Sequence, residues 1–223
     1  MDTHREGNHP GAVGLFDSGV GGLSTVRALV AQLPGEAIRY VADSAHCPYG
    51  SRSAAEIRGL SEAISRYLIE AGCKLIVVAC NTASAAALSH LRQTFPQTPF
   101  VGMVPAVKPA AQLTRTGVVG VLATPITFHG ALYDQVISLY GRDVRILSRA
   151  CPGLVERIEA GDVDSPSLLA LLRGCVGPLL EAGADTLVLG CTHYPFIAPA
   201  LQRLVGQDVQ IVEPSEAIAR QTA

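Results

Sequence analysis

Two stretches of the sequence, LIVVACNT at residues 75–82 and TLVLGCTH at residues 186–193, share one design. Each is a short apolar run, rich in β-branched residues, that ends in a cysteine and continues into small polar residues. Runs of this kind, without polar alternation, are typical of buried parallel strands. The second stretch follows the first by about half of the chain. The repeat therefore predicts two similar halves, each with a cysteine where a strand ends.

Further apolar runs extend this pattern along the whole chain, and amphipathic segments separate them. Residues 26–33 carry apolar side chains at helical spacing, Ser53 and Glu56 form a capping-box signal, and Ser165-Pro166 opens a helix that runs to about residue 182. The alternation predicts an α/β fold with mainly parallel sheets. The predicted strands are Val13–Phe16, Ile38–Ala42, Leu75–Ala79, Phe100–Met103, Val118–Leu122, Val144–Leu147, Thr186–Leu189 and Val209–Val212.

The two halves are predicted to be two similar α/β domains, each a mainly parallel sheet flanked by helices. We expect the first at residues 1–103, with 211–223 returning to it, and the second at 104–210. Ligands of such sheets bind outside the carboxyl ends of the strands. If the two edges face each other, the active site lies in the cleft between the domains.

Composition excludes several classes of function. The 223 residues are 48% hydrophobic and carry a net charge of −2, so neither a nucleic acid nor a membrane surface is an expected partner. The polar residues 1–10 do not resemble a signal peptide, and no apolar run reaches the roughly 18 residues of a spanning helix. We expect a soluble, cytoplasmic protein.

The six cysteines show neither C-x-x-C pairs nor zinc-ligand spacing, so the sequence predicts no disulfide framework and no metal. Cys73 and Cys175 are interpreted as buried structural residues, whereas the roles of Cys47 and Cys151 stay open.

The cysteines of the repeat, Cys80 and Cys191, are the candidate catalytic residues. Each is expected just before a helix N-terminus, which lowers the pKa of a thiol. Two matched thiols suit racemisation, because one can remove the α-proton while the other protonates the opposite face. Two ordinary buried cysteines remain an alternative. A hydrolase that uses Cys191 with His193 is another, but it leaves Cys80 unexplained.

Polar residues at other strand ends are candidates for substrate binding. The turn after Asp17 is rich in glycine but lacks the dinucleotide and ATP signatures, so no nucleotide cofactor is expected. Asp17 can hold an ammonium group or orient Cys80. The loop from Asp43 to Tyr49-Gly50 is a weaker signal. Neutral donors suited to carboxylate oxygens are Asn81, Thr82, Thr124, Thr127 and Thr192.

Six segments along the chain carry a resemblance to a known family. They are FDSGVGGLS at 16–24, ADSAHCPYGSRS at 42–53, VACNTAS at 78–84, VPAVKPAA at 104–111, ADTLVLGCTHYP at 184–195 and EPSEAIAR at 213–220. Together they resemble the glutamate racemases of bacterial cell-wall synthesis, within the aspartate/glutamate racemase superfamily, and CNTAS and GCTHYP are the most specific parts. The resemblance implies cofactor-independent interconversion of L- and D-glutamate, which feeds peptidoglycan precursors.

By the same resemblance, Cys80 and Cys191 are the catalytic thiols, Asp17 and His193 assist them, and Glu159 is an acidic neighbour of the second thiol. The implied substrate contacts are Asp17, Ser18, Tyr49, Gly50, Asn81, Thr82, Thr192 and His193, with Thr124 and Thr127 behind them.

The chain departs from the family pattern in three places. Gly130 replaces a usual serine, and Val104 replaces a glutamate, as in a branch whose members include enzymes activated by a UDP-muramyl precursor. Family members also continue for several tens of residues beyond the position of Ala223, so a shortened chain with part of the first domain exposed is one expectation. Aspartate racemase, and a carboxylate-binding protein without turnover, are the alternative functions. A homodimer is a further partner that the resemblance leaves open.

Overall fold

The computed structural model describes residues 11–223, in which two four-stranded sheets are built entirely from parallel pairs. The prediction about residues 1–10 lies outside the described residues. All eight predicted strands are confirmed, with small shifts at their ends. They are β1 (Val13–Asp17), β2 (Ile38–Ala42), β3 (Leu75–Val78), β4 (Phe100–Gly102), β5 (Val118–Ala123), β6 (Arg145–Ala150), β7 (Thr186–Gly190) and β8 (Gln210–Val212).

Within residues 11–223, ten α-helices connect and flank these strands, and the capping signals mark two of their starts. Ser53 and Glu56 form the predicted capping box, and the Ser165 hydroxyl accepts a hydrogen bond from the Leu168 amide. The helices are α1 (Leu23–Gln32), α2 (Ala54–Glu70), α3 (Asn81–Thr94), α4 (Val107–Leu113), α5 (Pro125–Phe128), α6 (Ala131–Tyr140), α7 (Leu154–Glu159), α8 (Pro166–Glu181), α9 (Ala198–Val205) and α10 (Ser215–Thr222).

The two sheets repeat one topology. Their strand orders are β2-β1-β3-β4 and β6-β5-β7-β8, so the α/β fold with two similar halves is confirmed. Strand β3 has the same position in the first sheet as β7 has in the second. Cys80 and Cys191 each follow one of these interior strands, which puts both thiols at the carboxyl edge of their sheet.

The end of the described chain packs on the first half. After β8, whose Ile211 pairs with Leu187 in the second sheet, Ile218 and Ala219 of α10 are buried in a core that includes Val13. The domain division at 103/104, with 211–223 returning to the first domain, stays a prediction. None of the helices within residues 11–223 is both long enough and apolar enough to span a bilayer.

Asp185 ties the segment after α4 to the start of β7. One carboxylate oxygen accepts the backbone amides of Arg115 (2.8 Å) and Thr116 (3.0 Å), and the other accepts the Thr114 hydroxyl. Burial alone would raise the pKa of Asp185, but these hydrogen bonds outweigh it and lower the pKa to about 2. The ionised Asp185 side chain thus holds the segment of residues 114–116, which leads into β5, against the start of β7.

Candidate active site

The two thiols lie on opposite halves and face one small cavity of about 10 Å³. Both are almost fully buried, with 4% of Cys80 and 6% of Cys191 exposed. The cavity is lined by Ser18, Pro48, Tyr49, Gly50, Cys80, Asn81, Thr82, Thr124, Val155, Cys191, Thr192 and His193. Ten of the predicted site residues therefore surround one space, to which both halves contribute.

The local settings of the two thiols differ. Cys80 is the N-cap of α3, and its sulfur accepts a hydrogen bond from the Ala83 amide at 3.5 Å. Cys191 leads instead into a 3-10 turn at Tyr194–Ile197, and α9 begins only at Ala198. The predicted helix N-terminus is therefore right for Cys80 and wrong for Cys191.

Asp17 lies beneath the cavity, fully buried beside Cys80. Its carboxylate accepts the Gly22 amide at 2.7 Å and the Thr192 hydroxyl at 3.3 Å, which joins the two halves. Burial raises the pKa of Asp17, although nearby His193 and the hydrogen bond with Cys80 act in the opposite direction. This carboxyl group is therefore easier to protonate than an ordinary aspartate.

The same surroundings raise the pKa of the Cys80 thiol. Burial is the largest cause and the neighbouring Asp17 is the next, and both outweigh the hydrogen bond from the Ala83 amide. The expectation that a helix N-terminus lowers the pKa of Cys80 is thus wrong. Cys80 is therefore a neutral thiol near neutral pH, and a buried acid lies beside it.

Cys191 has a histidine and a glutamate as partners. The Cys191 sulfur lies 3.8 Å from Nδ1 of His193, and Nε2 of the same ring is hydrogen-bonded to Glu159. Glu159 also accepts the Val20 amide at 2.8 Å. Burial would lower the pKa of His193, but the thiols of Cys191 and Cys47 outweigh it and raise the pKa to about 12. The ring is therefore an imidazolium near neutral pH, next to a thiol that it can stabilise as thiolate.

Neutral polar groups from both halves line the rest of the cavity. The hydroxyl oxygens of Thr82 and Thr124 are hydrogen-bonded at 2.9 Å. The hydroxyl of Thr124 is also hydrogen-bonded to that of Thr127 at 3.0 Å, and Thr127 itself does not line the cavity. Both polar atoms of the Asn81 side chain are buried and have no hydrogen-bond partner among residues 11–223. Such an amide is poised to bind a polar ligand.

Some residues of the site were only partly visible in the sequence. Tyr49 lines the cavity and donates a hydrogen bond to Asp43 at 2.6 Å, so Asp43 holds the phenol in place from behind the wall. Pro48 and Val155 line the cavity without having been predicted. Val155 carried no sequence signal, because an apolar residue on a helix is usually part of a core.

Comparison with known sequences gives one family. A family model described as Asp/Glu/Hydantoin racemase matches residues 14–222. A glutamate racemase of Roseiflexus sp. (strain RS-1) is 57% identical over 211 residues, which cover 95% of this chain and 78% of that relative. A glutamate racemase of Pseudomonas aeruginosa PAO1 is 52% identical over 210 residues, 94% of this chain and 79% of the relative.

Solved structures agree with the sequence comparison. A glutamate racemase isoform of Bacillus anthracis superposes with a TM-score of 0.87 at 33% identity and covers 97% of this chain and 81% of its own. Escherichia coli glutamate racemase, in complex with L-glutamate and the activator UDP-MurNAc-Ala, superposes with a TM-score of 0.86 at 38% identity. The match covers 96% of this chain and 81% of that one. An aspartate racemase of Picrophilus torridus, 17% identical, shares the fold with a TM-score of 0.61 and covers 94% of this chain and 91% of its own.

Proposed function

The chain belongs to the Asp/Glu/Hydantoin racemase family and is a racemase, and we propose that it interconverts L- and D-glutamate by proton transfer between two thiols. One observation carries the proposal: Cys80 and Cys191 face a single cavity from opposite halves of the molecule. A planar carbanion held between two thiols can lose a proton on one face and gain one on the other, which inverts the α-carbon.

Cys191 acts as the base for the enantiomer whose α-hydrogen faces it. The imidazolium of His193 stabilises the Cys191 thiolate, and Glu159 holds the ring in place. The thiolate takes the α-proton, and the electron pair of the C–H bond stays on the substrate as a carbanion. Cys80, a neutral thiol, then donates its proton to the opposite face.

Cys80 starts the reverse reaction with the help of Asp17. Its thiol proton passes to the Asp17 carboxylate, for which the raised pKa of Asp17 is favourable. The Cys191 thiolate takes the proton of the His193 imidazolium. The Cys80 thiolate then removes the α-proton from its side, and Cys191 donates its proton to the opposite face. Each proton that leaves one thiol is thus replaced from the substrate or from its assisting residue, and no net proton is consumed.

Neutral donors hold the substrate carboxylates in this scheme. Asn81, Thr82 and Thr192 offer amide and hydroxyl groups to the cavity. Because these donors carry no charge, they can bind the substrate carboxylates without forming ion pairs with the catalytic thiolates. Asp17 is fully buried and does not line the cavity, which supports orientation of Cys80 as its role rather than binding of the substrate ammonium group.

Proton exchange in D2O tests the two-thiol mechanism. Cys80→Ser and Cys191→Ser are each expected to abolish net racemisation. Each variant should still exchange the α-hydrogen of one enantiomer only, and the two variants should exchange opposite enantiomers, because each retains one base on one face. Exchange of the same enantiomer by both variants, or racemisation near the parent rate by either, would disprove the mechanism. Cys73→Ser, in the core of the first half, is the matched control.

The choice of glutamate rests on the relatives, and aspartate is the alternative. Side-by-side kcat/KM values for the two amino acids, measured without pyridoxal phosphate, metal or nucleotide, decide between them. Faster turnover of aspartate would overturn the assignment. D-glutamate made in this way would supply peptidoglycan precursors. The cytoplasmic location and the homodimer stay predictions.

We also propose activation by a UDP-muramyl precursor, since a relative has been solved with UDP-MurNAc-Ala bound. A cavity of about 750 Å³ lies between Val104 and α10. Its charged lining consists of Lys108, a cation suited to a diphosphate, of Arg220, which is paired with Glu216 at 3.7 Å, and of Glu213. Racemisation should rise when the precursor is added and rise less in Lys108→Ala. An unchanged rate with the precursor would refute activation.

A further inference from the structure

Beside the substrate cavity, three side chains of different chemistry meet across the two halves. The Cys47 sulfur, a Glu159 oxygen and a His193 ring nitrogen all lie within 4.8 Å of one another. Cys47 and Glu159 do not line the substrate cavity, whereas His193 does. We propose that these three residues form an inhibitory binding site for a zinc ion.

The ligand set selects the metal. Thiolate, imidazole and carboxylate are the three side-chain ligands of zinc, whereas magnesium and calcium prefer oxygen ligands alone. Zinc binds sulfur at about 2.3 Å and nitrogen or oxygen at about 2.0–2.2 Å, so the ligand atoms of a tetrahedral site are about 3.3–3.7 Å apart. A pair at the 4.8 Å limit must close by about 1–1.5 Å to reach this geometry, and the hydrogen-bonded pair of Glu159 and His193, 2.5 Å apart, must open by about 1 Å. Water can fill the fourth position.

Part of the site is already held in place. Glu159 accepts a hydrogen bond from the Val20 amide, which fixes its carboxylate. Nδ1 of His193 faces Cys191, so Nε2, on the Glu159 side, is the nitrogen that would bind the metal, and zinc would displace its proton and its hydrogen bond to Glu159. Outer hydrogen bonds that orient the ligands in this way strengthen metal sites.

A zinc ion here would tie the two halves together. Cys47 lies in the loop between β2 and α2 of the first half, whereas Glu159 ends α7 and His193 follows β7 in the second. Both thiols are almost fully buried, and the cavity between them, at about 10 Å³, is too small for an amino acid, so it must widen before a substrate binds. The bound ion would oppose widening by movement of the halves and would also withdraw His193 from Cys191. The inhibition rests on the proposed function, but the binding does not.

Binding is tested first, with zinc alone and the whole chain. Native mass spectrometry should find one zinc ion per chain, and cobalt as a substitute should give a thiolate-to-cobalt absorption band. Cys47→Ala should weaken zinc binding about tenfold or more and abolish the band. The control Cys73→Ala removes a thiol that lies away from the cluster and should leave both unchanged. Glu159→Gln provides a second, nearly isosteric variant that should also weaken binding.

Inhibition is then measured for each protein against its own rate in a chelator. Zinc should inhibit the parent and Cys73→Ala alike, and about tenfold more zinc should be needed for Cys47→Ala. Equal affinity and equal inhibition in the parent and Cys47→Ala would overturn the proposal, because zinc would then sit on Cys80 and Cys191. If the protein racemises neither glutamate nor aspartate, the proposed function is wrong, but the zinc-binding measurement still tests the metal site.

Discussion

Replacing Asp185 by asparagine is expected to destabilise the fold at neutral pH by about 2 kcal/mol. The folded-state pKa of Asp185 is about 2, against an ordinary value of 3.8. Each pKa unit corresponds to about 1.4 kcal/mol, so the hydrogen bonds favour the carboxylate by about 2 kcal/mol. The side chain is only 10% exposed, so solvent screens these bonds little. Asparagine keeps the shape but offers one acceptor oxygen instead of two.

The pH dependence separates charge from shape. Because the folded-state pKa of Asp185 is below the unfolded value, its stabilisation is present above about pH 4 and is lost as the pH falls towards 2. At pH 3 about half of it remains. The difference in unfolding free energy between the parent and Asp185→Asn should therefore shrink by about 1 kcal/mol from pH 7 to pH 3.

Urea unfolding followed by circular dichroism at both pH values measures this difference. Asp143→Asn, at an exposed aspartate, is the control and should match the parent throughout. Equal urea midpoints for the parent and Asp185→Asn at pH 7 would refute the reasoning. A gap that is as large at pH 3 as at pH 7 would show that the charge is not its source.

Three further substitutions test packing and capping. A Cβ at Gly21 would lie 2.6 Å from Nδ1 of His193, so Gly21→Ala should slow racemisation about a hundredfold. Gly35→Ala, whose Cβ meets nothing within 4 Å, should racemise at the parent rate. Equal rates for Gly21→Ala and Gly35→Ala would contradict the steric argument. Ile218→Ala should cost about 2–4 kcal/mol in urea unfolding, because it empties part of the core under α10; an unchanged midpoint would mean that α10 adds nothing. Ser53→Ala should cost about 1 kcal/mol through loss of the α2 cap, and Ser53→Thr should restore most of it.

The sequence was sufficient for the secondary structure because its signals are local. Apolar runs marked all eight strands, and the capping box at Ser53 and the Ser165-Pro166 pair marked two helix starts correctly. The cysteines at the ends of β3 and β7 also predicted a shared cavity, since strand ends of a parallel sheet collect at one edge.

The electrostatics of the site could not be read in the same way. A helix N-terminus after Cys80 is visible in the sequence, but its burial and the adjacent Asp17, which raise its pKa, are tertiary facts. Spacing likewise gave no sign of a metal site, because Cys47, Glu159 and His193 are distant in the chain and meet only across the two halves.

The unequal partners of the two thiols have a thermodynamic consequence. Cys80 is paired with a buried aspartate and Cys191 with a histidine and a glutamate, so the two directions of proton transfer start from different resting states. Enantiomers have equal free energies in water, so the equilibrium constant of racemisation is one. The kcat/KM values of the two directions must therefore be equal. The asymmetry can therefore change kcat and KM of one direction only by the same factor. The enantiomer with the lower KM necessarily has the lower kcat.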